Sequence, residues 1–176
     1  MLLAAVAALS AAALIDKQCA QSVDRALQTT PRAFVRMYGG GEKGRWYVLT
    51  PALQHRVATD PDIYSEIAQT WQLARRVVLV NIEARSLELR ADATYCFRST
   101  GTLARVMESS SGVEVRDDEA RYFDERGKLV GRQSGFSPLT PHPGQTLSPD
   151  FKPATPSLYL TVQALPFYAL MKASQS

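Results

Sequence analysis

From Val77 onward the chain takes up a period of two, with Val78, Val80, Ile82 and Ala84 alternating with Leu79, Asn81, Glu83 and Arg85. That alternation belongs to a strand with two different faces. β-Prone runs follow at Thr94 to Met107, interrupted at Gly101, then at Val113 to Arg116, Ala120 to Phe123 and Lys128 to Gln133. The stretches between them, Arg90 to Ala93, Glu108 to Gly112, Asp117 to Glu119 and Asp124 to Gly127, are short and turn-compatible. Parallel strands need crossovers of a dozen residues or more, so these strands must pair mostly antiparallel, as a meander. Leu87 and Leu89 resume the alternation in the opposite phase, which predicts a bulge or turn near Arg85 and Ser86.

Upstream, Cys19, Ala20, Val23, Ala26 and Leu27 recur at spacings of three and four, predicting an amphipathic helix from Asp16 to Thr29 that Pro31 ends. Phe34 to Tyr38 and Arg45 to Leu49 flank the turn-forming run Gly39 to Gly44 and predict a hairpin. A second helix is expected over 61–75: Asp60 caps, Pro61 suits the first position, and Ile63, Ile67, Trp71 and Ala74 form an apolar stripe ending at Arg75 and Arg76. Six of the ten prolines fall between Pro138 and Pro156, which bars a central strand and predicts an extended surface strap. Leu158 to Ala169 reads as a last helix interrupted by Pro166, or, over Leu158 to Val162, as a closing strand.

The chain of 176 residues, 45% hydrophobic and 21% charged, has the mixture of one ordinary globular domain. Its net charge of +3 is too small for a face that neutralises several phosphates, so nucleic acid is not an expected partner. Two cysteines and two histidines, His55 and His142, exclude a four-cysteine zinc site, and no metal or cofactor is expected.

Leu2 to Ile15 carries no charge, yet is shorter than the roughly 20 residues that cross a bilayer. Small residues at Ala11 and Ala13 suit a signal-peptidase cut after Ala13. Three readings stand: a cleaved export signal, which is preferred, an uncleaved membrane anchor, and a buried N-terminal helix. Only Met1 precedes the run, so the basic residues that orient a signal are expected upstream of it. In an exported chain Cys19 and Cys96 either form one bridge or remain free thiols, with Cys96 buried between Tyr95 and Phe97.

Chemistry-bearing motifs are sparse. Gly39 and Gly44 have the spacing of a phosphate loop's outer glycines, but Arg45 and Trp46 follow instead of lysine and serine, so a hairpin turn is the better reading. Asp117, Asp118 and Glu119 lack the alternate register of a calcium loop and read as a solvated turn. There is no G-x-S-x-G elbow, and no histidine lies near Ser109 to Ser111 in sequence. Among the aromatics on expected strands, Trp46, Tyr95, Phe97 and Tyr122 are the candidate lining of a ligand hollow, against the alternative that both sheet faces are simply covered.

The expectation is an α+β fold, with helices packed on a curved, mostly antiparallel sheet. Residues 1–15 form a signal or anchor, 16–136 the domain, 137–156 the strap and 157–176 a C-terminal segment packing on the same domain. The expected function is that of an exported, periplasmic or secreted, non-enzymatic binding or accessory domain whose partner is a protein or an apolar ligand. A carrier of an apolar ligand is the second reading, and a hydrolase using Cys/His or Ser/His the third. The membrane is a partner only through an uncleaved N-terminal segment.

Overall fold

A computed structural model describes residues 2–39, 41–60, 63–85, 90–111, 115–138 and 157–173. Helix α1 (Leu2–Ala26) precedes the hairpin β1 (Arg32–Gly39) and β2 (Glu42–Val48), helix α2 (Pro51–Thr59), and strands β3 (Tyr64–Leu73), β4 (Arg76–Arg85), β5 (Arg90–Phe97), β6 (Leu103–Ser111), β7 (Val115–Phe123) and β8 (Leu129–Pro138). A 3-10 turn (Val162–Ala164) and helix α3 (Tyr168–Ala173) follow. The strands form one antiparallel sheet in the order β2-β1-β3-β4-β5-β6-β7-β8. The expected antiparallel meander and its α+β character are present.

The helix expected over 61–75 is instead strand β3, and the helix lies earlier, at Pro51–Thr59. The topology explains the exchange. β1 pairs with β2 on one side and β3 on the other, antiparallel to both, so β2 and β3 run parallel and need a crossover, which α2 supplies. Thr50-Pro51 is as good a start signal as Asp60-Pro61, and the Leu53 N–H donates to Thr50 Oγ1 at 3.3 Å. Tyr64, Ile67, Thr70 and Trp71 are β-formers, and tertiary pairing on both edges of the segment overrides its accidental helical spacing.

Three expected turns are also strand: Arg90 to Ala93 lies in β5, Glu108 to Ser111 in β6 and Asp117 to Glu119 in β7. Several of their polar residues are paired: Arg121 pairs across strands with Glu108 and along β7 with Glu119, and Glu119 pairs across strands with Arg132. The phase change at Leu87 and Leu89 and the proline strap over 139–156 lie outside the described residues.

Two groups of side chains fill the two faces of the sheet. On one face Phe34, Ala68, Val80, Tyr95, Phe97 and Val106 pack with Val162, Leu165, Phe167 and Met171 of the C-terminal residues. That segment is fastened by backbone bonds, Val162 N–H to the Gly101 carbonyl and Leu103 N–H to the Leu160 carbonyl, both 2.9 Å. On the other face α1 lies across the strands: Ala12, Ile15 and Cys19 cluster with Cys96, Ala104 and Tyr122, and Ala26 with Trp71, Val78 and Leu79. The last helix expected to carry Leu158 to Ala169 is reduced to the 3-10 turn and α3, either side of Pro166.

Phe167 is fully buried, stacked on Phe34 at 5.0 Å and against Trp46 at 4.9 Å. Phe167→Ala should therefore cost about 3–5 kcal/mol, read as a lowered denaturant midpoint with an unchanged slope.

Candidate functional site

The register of β4 to β8 sorts the α1 side of the sheet into cross-strand rows. The first is Leu79, Cys96, Arg105, Tyr122 and Gly131; the second Asn81, Thr94, Met107, Ala120 and Gln133; the third Glu83, Asp92, Ser109, Asp118 and Gly135. Helix α1 engages the first row. Cys19 is bonded to Cys96, Asp16 pairs with Arg105, and a Cβ added to Gly131 would come within 3.3 Å of the Ala12 Cβ.

Three bulges widen this seat. Register shifts leave Val78, Ala104 and Val130 as the extra residues of β4, β6 and β8, and each packs on the α1 side next to a first-row residue. The extra residues recur every 26 positions along the chain, a spacing visible in the sequence but without meaning until the pairing is known.

The β5 to β8 members of the second and third rows, beyond the first, line an open hollow of about 460 Å3. Thr94, Met107, Ser109, Asp118, Gln133 and Gly135 contribute to its wall. Met107 is exposed, and a side chain at Gly135 would meet open space. The lining is mixed and polar, so it suits a ligand with hydrogen-bonding groups better than a lipid tail.

The aromatic residues proposed from sequence are not brought to one place. Tyr95 and Phe97 are buried under the C-terminal segment, where the Tyr95 hydroxyl donates to the Ser157 carbonyl at 2.7 Å and its ring meets Tyr159. Trp46, half-buried on that face at the far edge of the sheet, stacks with the Arg36 guanidinium at 5.2 Å, and Arg36 in turn pairs with Glu66. The buried Trp46 Nε1 has no hydrogen-bond partner among the described residues. Tyr122 sits on the opposite face, its hydroxyl 3.1 Å from both Asp16 Oδ2 and Gln133 Oε1, and burial, followed by the bond to Asp16, pushes its phenol up.

Cys19 and Cys96 form a disulfide, so neither offers a thiol. His55 is exposed on α2, and His142 lies outside the described residues. No group of three metal-ligating side chains occurs among the described residues. Asp118 and Glu119 alternate to opposite faces of β7, which disperses the acidic run. No protein family, curated protein or solved structure matches the chain.

Glu108 is a half-buried acid that lines the hollow. Burial pushes its carboxyl above the ordinary glutamate range, while the ion pair and hydrogen bond from Arg121 pull it down. The folded state thus binds this proton more tightly than the unfolded chain, and stability falls as pH rises from the ordinary glutamate range through the raised pKa. Arg121→Met removes the opposing pull. It should raise the Glu108 pKa further and cost about 1–3 kcal/mol at neutral pH, read from carboxyl NMR titration and denaturant unfolding.

Proposed function

We propose that the protein is an extracytoplasmic, non-enzymatic binding domain in which helices close a curved sheet and a polar ligand is held in the hollow beside α1. The observation that carries this reading is the buried disulfide joining α1 to the middle of the sheet. Such bridges persist in oxidising compartments, and this one fixes the helix that borders the hollow. The uncharged run Leu2 to Ile15 supports export. Ala12 and Ile15 are buried on either side of the expected cut after Ala13, which favours retention of at least this part of the run in the folded protein. No helix of the described residues is long and apolar enough to cross a membrane.

A binding role is preferred to catalysis because both cysteines are spent in the bridge and His55 faces solvent on α2. The carrier of an apolar ligand has less support, since the chain's own C-terminal residues occupy the aromatic face where Tyr95 and Phe97 lie.

Expression of the chain with its own N-terminus in an exporting bacterial host tests the compartment. The protein should fractionate outside the cytoplasm, two hydrogens lighter by intact mass before reduction than after it. Recovery from the cytoplasm with both thiols open to alkylation would refute export. The hollow is tested by native mass spectrometry of the isolated protein beside Gly135→Trp, which should lose a co-isolated small-molecule adduct while keeping its unfolding midpoint. No adduct on either protein, or the same adduct on both, would refute the hollow as the site. Cys96→Ala should cost about 4 kcal/mol through the long closed loop, read by denaturant unfolding.

A further inference from the structure

At the other end of the sheet, away from that hollow, three cations line one depression with no acidic side chain beside them among the described residues. A smaller hollow of about 230 Å3 is lined by Arg75 and Arg76 of the β3–β4 turn, Ser99 and Thr100 of the β5–β6 turn, and Gln163 and Lys172 of the C-terminal segment. Among the described residues no aspartate or glutamate lines it. The Arg76 guanidinium reaches the Ser99 carbonyl at 3.4 Å and the Lys172 ammonium lies over the Tyr168 ring, but neither contact neutralises charge. Ordinary surface cations scatter among acids; here three elements bring only cations to one depression.

The backbone adds an independent observation. The turn that presents Arg75 has Ala74 at φ 48° and Arg75 at φ 65°. Both central residues of the tight hairpin thus adopt the left-handed conformation for which asparagine and glycine are usual, and a side chain there is unfavourable. No ion pair among the described residues engages Arg75, so its side chain makes no charge contact among them that offsets that conformation. Strain of this kind gathers where a side chain must be presented to something outside the chain.

The opposite wall is rigidly held. Val162 and Leu103 are tied across the β5–β6 turn and C-terminal segment as described, and the Arg32 guanidinium donates to the Met171 carbonyl at 3.0 Å. The backbone that carries Lys172 is therefore anchored before any ligand arrives, which lowers the ordering cost of binding.

We infer that this hollow is an anion site for a phosphate group, gripped by the Arg75 and Arg76 guanidinium forks and the Lys172 ammonium, with the Ser99 and Thr100 hydroxyls as further donors. Guanidinium groups match phosphate oxygens in pairs, and lysine supplies a point charge. The phosphate belongs either to a soluble phosphorylated compound or to a lipid headgroup. This site is separate from the polar hollow beside α1 and does not depend on a ligand there.

The test uses the full chain, inorganic phosphate, and vesicles of phosphatidylcholine with phosphatidylglycerol. Phosphate should move the amide resonances of Arg75, Arg76 and Ser99 to Gly101, with an affinity that falls as salt rises. Arg75→Gln with Lys172→Gln should weaken it at least about tenfold without altering the fold. Arg75→Gly is the sharper variant: it relieves the left-handed strain, so the unfolding midpoint should rise while phosphate affinity falls. Vesicle binding that these variants abolish assigns the phosphate to a lipid; phosphate binding without vesicle binding assigns it to a soluble compound. Absence of the resonance shifts, or phosphate affinity unchanged in both variants, would overturn the site.

Discussion

One turn of an α-helix advances about 5.4 Å, and neighbouring strands of a sheet lie about 4.8 Å apart, so a helix laid across the strands meets roughly one strand per turn. Helix α1 uses this near-match. Ala12 lies on β8, Asp16 reaches β6 and β7, Cys19 is bonded to β5, and Ala26 packs on β3 and β4. The fourteen steps from Ala12 to Ala26 advance about 21 Å, and the four strand intervals from β8 to β4 span about 19 Å. A three-and-four spacing in the helix therefore becomes a contact with successive strands. Small residues at the crossings let the helix settle close to the sheet, and the bulge residues Val78, Ala104 and Val130 supply apolar surface beside each.

Because α1 crosses the strands rather than running along them, it can cover only a band of the sheet. The first row is under it, and the second and third rows are left open beyond. The opposite face follows a different plan. There the C-terminal segment returns over the aromatic residues, tied to the β5–β6 turn by its backbone and filled in by Phe167 and Met171. Among the described residues, one face of the sheet is thus covered by the C-terminal segment, and the other is covered by α1 along its first row only.

Much of this was legible in residue order, and what was missed has physical causes. The β1–β2 hairpin, the helix through Cys19 and Ala26, and the meander followed from periodicity and from connections too short to cross over. The segment 64–73 did not, because Ile63, Ile67 and Trp71 keep a helical spacing by accident, while the crossover that forces it to be a strand is a property of the whole sheet. Arg90 to Ala93, Glu108 to Ser111 and Asp117 to Glu119 looked like turns because charge was taken to mean solvent. In a meander such residues stay in register by pairing across strands, as Glu108 does with Arg121 and Glu119 with Arg132. The aromatic set failed as a single lining because alternation tells only that neighbours diverge, not which face receives a cover. Trp46, Tyr95 and Phe97 fell on one face and Tyr122 on the other.

The basic hollow had no signal of its own in the sequence, since Lys172 lies about a hundred residues from the adjacent Arg75 and Arg76 and each sits in an unremarkable local context. Arg75 and Arg76 looked like favourable charges at the end of a helix that is not there. With Arg75 on a two-residue turn and Arg76 opening β4, neither can be explained by a helix dipole, and Arg75 occupies a conformation that disfavours any side chain. A turn selected only for tightness would carry glycine or asparagine at this point. That an arginine stands there, facing a lysine from the far end of the chain across a depression without acids, is the pattern expected when the cost of the turn is offset by an anion that the polypeptide does not itself provide.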